Sequence, residues 1–123
     1  MSHQHEDAQP VVLAQQKTLA FNPPISEPEL RKKTDSFLSA FTRSLAKQGC
    51  ELIGHVKGLL DAGGAGRLFF SVTSFEQAPR YKGGLSDVVS KVTLEINVIV
   101  YGVETAGVQK AVLEGWAHLR EDG

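Results

Sequence analysis

The alternation of side chains from Lys91 to Gly102 constrains the fold more than any other feature of this sequence. Every second position from Val92 to Val100 is Val, Leu or Ile, and most positions between them are polar. Successive side chains of a β-strand point to opposite faces, so this period of two predicts a strand with one purely apolar face. Such a face has to be covered by another layer. The segment therefore predicts a sheet with one buried side.

Two helices are predicted, one before and one after the central strands in the sequence. Ser26 is followed three residues later by Glu29, with a proline between them, which is the capping box that begins a helix. Apolar residues then recur at helical spacing until Gly49, which can end a helix in the left-handed conformation. We predict one helix over about Glu27–Gln48 and a second that begins at Thr105.

Further strands are predicted over Glu51–Asp61 and Arg67–Phe75, joined by a glycine-rich turn, and an edge strand over Val11–Phe21. The segment Glu76–Ser90 is predicted to be a polar loop. The predicted fold is an α+β two-layer sandwich, with an antiparallel sheet of three to four strands, two helices on one face and the order (β)αβββα. Residues 1–10 are predicted to be a disordered tail, and residues 11–123 a single domain.

Composition narrows the class of protein. The chain has 123 residues, and its 13 Lys and Arg against 14 Asp and Glu leave a net charge of −1, which argues against a nucleic-acid partner. Cys50 is the one cysteine, which favours a reducing compartment. No secretory signal opens the sequence, and the most apolar stretch is too short and too polar to cross a membrane. We therefore expect a cytoplasmic protein with no membrane association.

The second face of the predicted sheet combines polar and apolar side chains. Five sizeable apolar residues on one open sheet approach the area that marks an interface or a binding groove. The candidate binding residues on this mixed face are Ile53, His55, Lys57, Phe69, Ser71, Glu95, Asn97, Ile99 and Tyr101.

Three functions are compatible with the mixed face and the predicted loop beside it. The leading hypothesis is a non-enzymatic interaction domain that forms a homo-oligomer, most simply a dimer, through the mixed face. The first alternative is a protein that binds a small anionic molecule or RNA through Arg80, Tyr81 and Lys82 of the loop, together with Lys57. The second alternative is a small enzyme in which Glu95 orients His55.

The sequence predicts no cofactor and no metal site. His3 and His5 lie beside acidic residues, but nothing in the predicted tail holds them in the geometry that a metal requires. The glycines between Ala62 and Arg67 lack the spacing of a phosphate-binding loop, and no helix follows them.

Overall fold

The computed structural model describes residues 9–120 and shows, within them, a five-stranded antiparallel sheet and two α-helices. In chain order the elements are β1 (Pro10–Ile25), α1 (Glu27–Lys47), β2 (Leu52–Asp61), β3 (Gly66–Val72), β4 (Arg80–Leu85), β5 (Val89–Tyr101) and α2 (Thr105–Arg120). The strands lie in the order β1-β5-β2-β3-β4. The predicted α+β class is confirmed, but the sheet has five strands rather than three to four.

The additional strand, β4, lies inside the segment that the sequence predicts to be a loop. It pairs with β3 from Gly66 opposite Leu85 to Ser71 opposite Arg80. The prediction of a loop over Glu76–Ser90 is wrong here because Gly83 and other residues of low strand propensity occupy β4. Pairing with the free edge of β3 outweighs that local preference.

The predicted edge strand is confirmed and is longer than predicted. β1 pairs with β5 from Pro10 opposite Tyr101 to Ala20 opposite Lys91, and pairing resumes at Ile25. The interruption spans Asn22, Pro23 and Pro24, and a proline nitrogen cannot donate to a sheet. Pro10, assigned to the predicted tail, is the first residue of β1; residues 1–8 of that tail lie outside the described residues.

The capping box of α1 is confirmed. The Ser26 hydroxyl accepts from the Glu29 amide at 3.4 Å, and the Ser26 amide donates to the Glu29 carboxylate at 3.0 Å. This hydrogen bond from the Ser26 amide lowers the pKa of Glu29. The helix ends at Lys47, within one residue of the prediction, and Gly49 follows with a φ of 90°.

Both helices pack on the same face of the sheet. The core between the layers is aromatic at its centre, where the Phe37 ring stacks at 5.2 Å on Trp116 of α2 and at 6.1 Å on Phe41. The Lys17 ammonium of β1 lies 5.6 Å from the Trp116 ring centroid, which places α2 over the β1 side of the sheet. At the other side, the Leu85 amide of β4 donates to a carboxylate of α1. The two-layer sandwich is therefore as predicted.

Candidate functional site

The candidate site is the sheet surface that points away from both helices, which we call the open face. Its residues alternate along each strand with the buried residues that face the helices. Within residues 9–120, neither helix packs on it. The ten sequence-predicted site residues on the open face are His55, Lys57, Phe69, Ser71, Arg80, Lys82, Glu95, Asn97, Ile99 and Tyr101.

Strand pairing arranges these residues in rows across the sheet. One row, the lysine row, consists of Ala14, Asn97, Lys57, Ser71 and Arg80. The next row, the phenylalanine row, consists of Gln16, Glu95, Leu59, Phe69 and Lys82. The two rows are neighbours on the same face, so side chains far apart in the chain come together there.

Ile53 is not part of the open face, and its prediction as a binding residue there is wrong. Its side chain is only 2% exposed and packs in the core. Ile53 pairs with Val100 but His55 pairs with Ile99, so Gly54 is an extra residue that reverses the alternation of β2. Leu52, which is 56% exposed, takes the place on the open face beside Tyr101. The glycine inside the strand was the one sequence signal for this bulge.

Tyr81 also points away from the open face, so the prediction that it acts with Arg80 and Lys82 is wrong. Tyr81 pairs with a core residue of β3, and its hydroxyl donates to the Asp35 carboxylate of α1 at 2.5 Å. The Arg31 guanidinium lies 4.9 Å from the centroid of its ring. Tyr81 therefore links the edge strand to α1, whereas its neighbours Arg80 and Lys82 are on the open face.

The half-buried position of Tyr81 makes stability sensitive to alkaline pH. Burial first, and then the Asp35 carboxylate, raise the pKa of Tyr81. An unfolded tyrosine has a pKa of about 10, so this group contributes stability below pH 10 that is lost as the pH rises further. We expect Tyr81→Phe to lower the free energy of unfolding by about 1 kcal/mol at neutral pH, through loss of the hydrogen bond.

The check is urea denaturation of both proteins at neutral pH and at about pH 11, above the tyrosine pKa of the unfolded chain. The wild type should lose more stability between the two conditions than Tyr81→Phe does. Equal losses would contradict the assigned role of Tyr81.

His55 and Glu95 are not neighbours, so the expectation that Glu95 orients His55 is wrong. His55 is opposite Ile99, whereas Glu95 is opposite Leu59. The two side chains are four residues apart along the strands, or about 13 Å, which is beyond hydrogen-bond reach. This geometry leaves the enzyme hypothesis without its proposed pair.

The apolar residues of the open face form two groups on either side of the lysine row. Val12, which is 67% exposed, adjoins Ile99 and lies near Leu52 and Tyr101. Phe69, which is 45% exposed, is opposite Leu59 beyond the lysine row. Val12 was not predicted from the sequence, because the apolar positions of β1 that face the helices dominate its alternation.

A groove runs between the lysine row and the phenylalanine row. One part of it, of about 370 Å³, lies over β2, β3 and β4 and is lined by Lys57, Gly58, Phe69, Phe70, Ser71, Arg80, Tyr81 and Lys82. A shallower groove of about 250 Å³ shares Lys57 and Phe69 and continues to Glu95 and Asn97. The structure thus brings Lys57, Arg80 and Lys82 to one groove.

Metal-ligating and thiol groups contribute little to this surface. The part of the chain that the structure describes contains no cluster of three His, Cys, Asp or Glu side chains that could hold a metal ion. His3 and His5 lie outside the described residues. The Cys50 thiol is buried within 3.3 Å of the Tyr101 carbonyl oxygen, and burial raises its pKa. Neither helix, over residues 9–120, is long and apolar enough to cross a membrane.

Comparison with known proteins identifies no relative. No family model and no curated protein matches the sequence. Among solved structures, the chain is similar to zinc-bound YjiA GTPase from E. coli, with 16% identity and a TM-score of 0.41, and to a zinc-bound triple mutant of YjiA GTPase, with 15% identity and a TM-score of 0.42. Each alignment covers 89% of this chain but 30% of the other chain. Similarity at this level defines neither a family nor an activity.

Proposed function

We propose that this chain is a non-enzymatic, cytoplasmic interaction domain that forms a homodimer through the open face of its sheet. The observation that carries the proposal is the exposure of Val12, Leu52 and Phe69 on a face that neither helix covers. Apolar side chains clustered on one surface favour association, because burial removes their area from water at about 25 cal/mol per Å².

The size of the open face supports a second copy as the occupant. Five strands spaced about 4.8 Å apart, with ten residues rising about 3.3 Å each, span roughly 24 by 33 Å. The resulting area of about 800 Å² is what each partner contributes to a standard protein interface. A second copy of this sheet has the matching area.

The distribution of charge supports the same occupant. In the lysine and phenylalanine rows, the β1 and β5 side carries Glu95 and no cation. The β2, β3 and β4 side carries Lys57, Arg80 and Lys82 and no acid. A two-fold axis parallel to the strands brings the Glu95 side of each copy over the basic side of the other. These two rows are therefore complementary to the same two rows of a second copy.

Light scattering of purified variants tests the proposal. The wild type should have twice the 13.3 kDa protomer mass. Phe69→Asp should yield the protomer mass, because it removes an exposed ring from the interface and requires a carboxylate to lose its hydration there, which costs several kcal/mol of association free energy.

Leu113→Asp is the matched control. Leu113 is 66% exposed on α2, which packs on the opposite side of the sheet, and the substitution introduces the same charge. This variant should remain a dimer. A wild type that stays at the protomer mass at all concentrations, or equal effects of the two substitutions, would refute the proposed dimer.

A further inference from the structure

The groove over β2, β3 and β4 concentrates positive charge. Lys57, Arg80 and Lys82 line it, and no acidic side chain does. None of the three takes part in an ion pair within residues 9–120. Three neighbouring cations without a counter-charge repel one another, so an anion in the groove would gain attraction from all of them.

The register of the strands places two of these cations around one point. Lys57 and Arg80 flank Ser71 in the lysine row, one strand away on either side. Their Cα atoms are therefore about 10 Å apart, two strand spacings, and both long side chains can reach an anion held above Ser71. The short Ser71 side chain leaves that space open, and its hydroxyl can donate a hydrogen bond. Arginine and lysine donors in this arrangement suit the several oxygens of a phosphate.

The opposite wall of the groove is aromatic. Phe69 stands in the neighbouring row with nearly half of its side-chain surface exposed, and Lys82 lies beside it on β4. An exposed ring next to a cation cluster favours a ligand with a flat ring of its own, which can stack on it. The volume of about 370 Å³ falls within the range of small-molecule sites.

We infer that this groove binds a small organic phosphate that carries a planar ring, with Lys57, Ser71 and Arg80 at the phosphate and Phe69 at the ring. The site is formed within one copy of the chain and does not rest on the proposed dimer, but it uses the same surface, so the ligand and a second copy exclude each other at Phe69 and the three cations. It opens at β4, an edge strand of the sheet, so a ligand can enter from the side of the molecule.

Calorimetric titration with adenosine 5′-monophosphate, inorganic phosphate and adenosine tests the inference. The monophosphate should bind most tightly, because it alone uses both the cations and Phe69. Arg80→Ala should weaken its binding about tenfold, the loss of one charge-assisted hydrogen bond. Lys91→Ala is the matched control, since Lys91 is an exposed cation on the open face outside the groove, and it should change the affinity less than about twofold.

Several results would overturn the inference. They are the absence of binding by the monophosphate, equal affinities for the monophosphate and adenosine, and equal effects of Arg80→Ala and Lys91→Ala. Tighter binding of a single-stranded RNA than of the monophosphate would assign the groove to nucleic acid instead. Light scattering without ligand tests the proposed dimer separately. Binding of the monophosphate by a chain that stays at the protomer mass supports this inference and refutes only the dimer, whereas a dimer that does not bind the monophosphate refutes only this inference.

Discussion

Alanine in place of Gly58 is expected to lower the free energy of unfolding by about 3 kcal/mol, because the core has no room for a methyl group there. A Cβ atom at position 58 would overlap the ring of Phe70, which is buried against the β2 backbone. The ring is enclosed by the helix layer, so it can move only by displacing other core residues. The change should appear as a lower midpoint in urea denaturation followed by circular dichroism.

Gly64→Ala is the control for this prediction. A Cβ atom at position 64 meets nothing within 4 Å, and Gly64 does not have a positive φ. Its substitution should change stability by less than about 0.5 kcal/mol. A combined Gly58→Ala and Phe70→Leu protein should recover part of the loss, because the smaller side chain vacates the space. Equal stabilities of the two single glycine variants would show that the close approach of Phe70 is not what limits position 58.

Phe37→Ala is expected to cost about 3–5 kcal/mol, a large share of the stability of a typical domain. Phe37 is fully buried in α1, and its ring stacks on Trp116 of α2 and on Phe41. The same ring lies against Gly115, where a Cβ atom would overlap it. Removing the ring leaves a cavity at the contact between the helices, and neither helix can close it without leaving the sheet.

The experiment compares Phe37→Ala with Phe37→Leu by urea denaturation. Leucine keeps most of the apolar volume, so Phe37→Leu should cost at most about 1.5 kcal/mol. A loss below about 1 kcal/mol for Phe37→Ala would mean that the helices do not meet through this ring.

Sequence reasoning predicted best where the signal is local. The start of α1 was predictable because Ser26 and Glu29 satisfy each other's backbone and side-chain groups within one turn. The faces of β5 were predictable because its apolar residues recur without interruption from Val92 to Val100. These features depend on neighbours a few residues away in the chain.

The errors arose where distant contacts decide the structure. β4 is a strand because β3 offers it a free edge, although Gly83 within it has little strand preference. The bulge at Gly54 places Leu52, and not Ile53, on the open face. Tyr81 is not part of the predicted basic cluster, because the alternation of β4 turns its side chain towards α1. There its hydroxyl donates a hydrogen bond to Asp35, which is far away in the sequence. β2 and β5 are neighbours in the sheet, but their register places His55 two rows away from Glu95.

The sequence by itself determined the α+β class, both helices and most of the residues of the open face, because periodicity and capping act over a few residues. Only the tertiary structure decided the fifth strand, the bulge and the grouping of Lys57, Arg80 and Lys82 around one groove. The physical reason is that strand register and edge pairing depend on the free energy of contacts between segments far apart in the chain. One-residue shifts in register move side chains to the opposite face, and local patterns carry little information about such shifts.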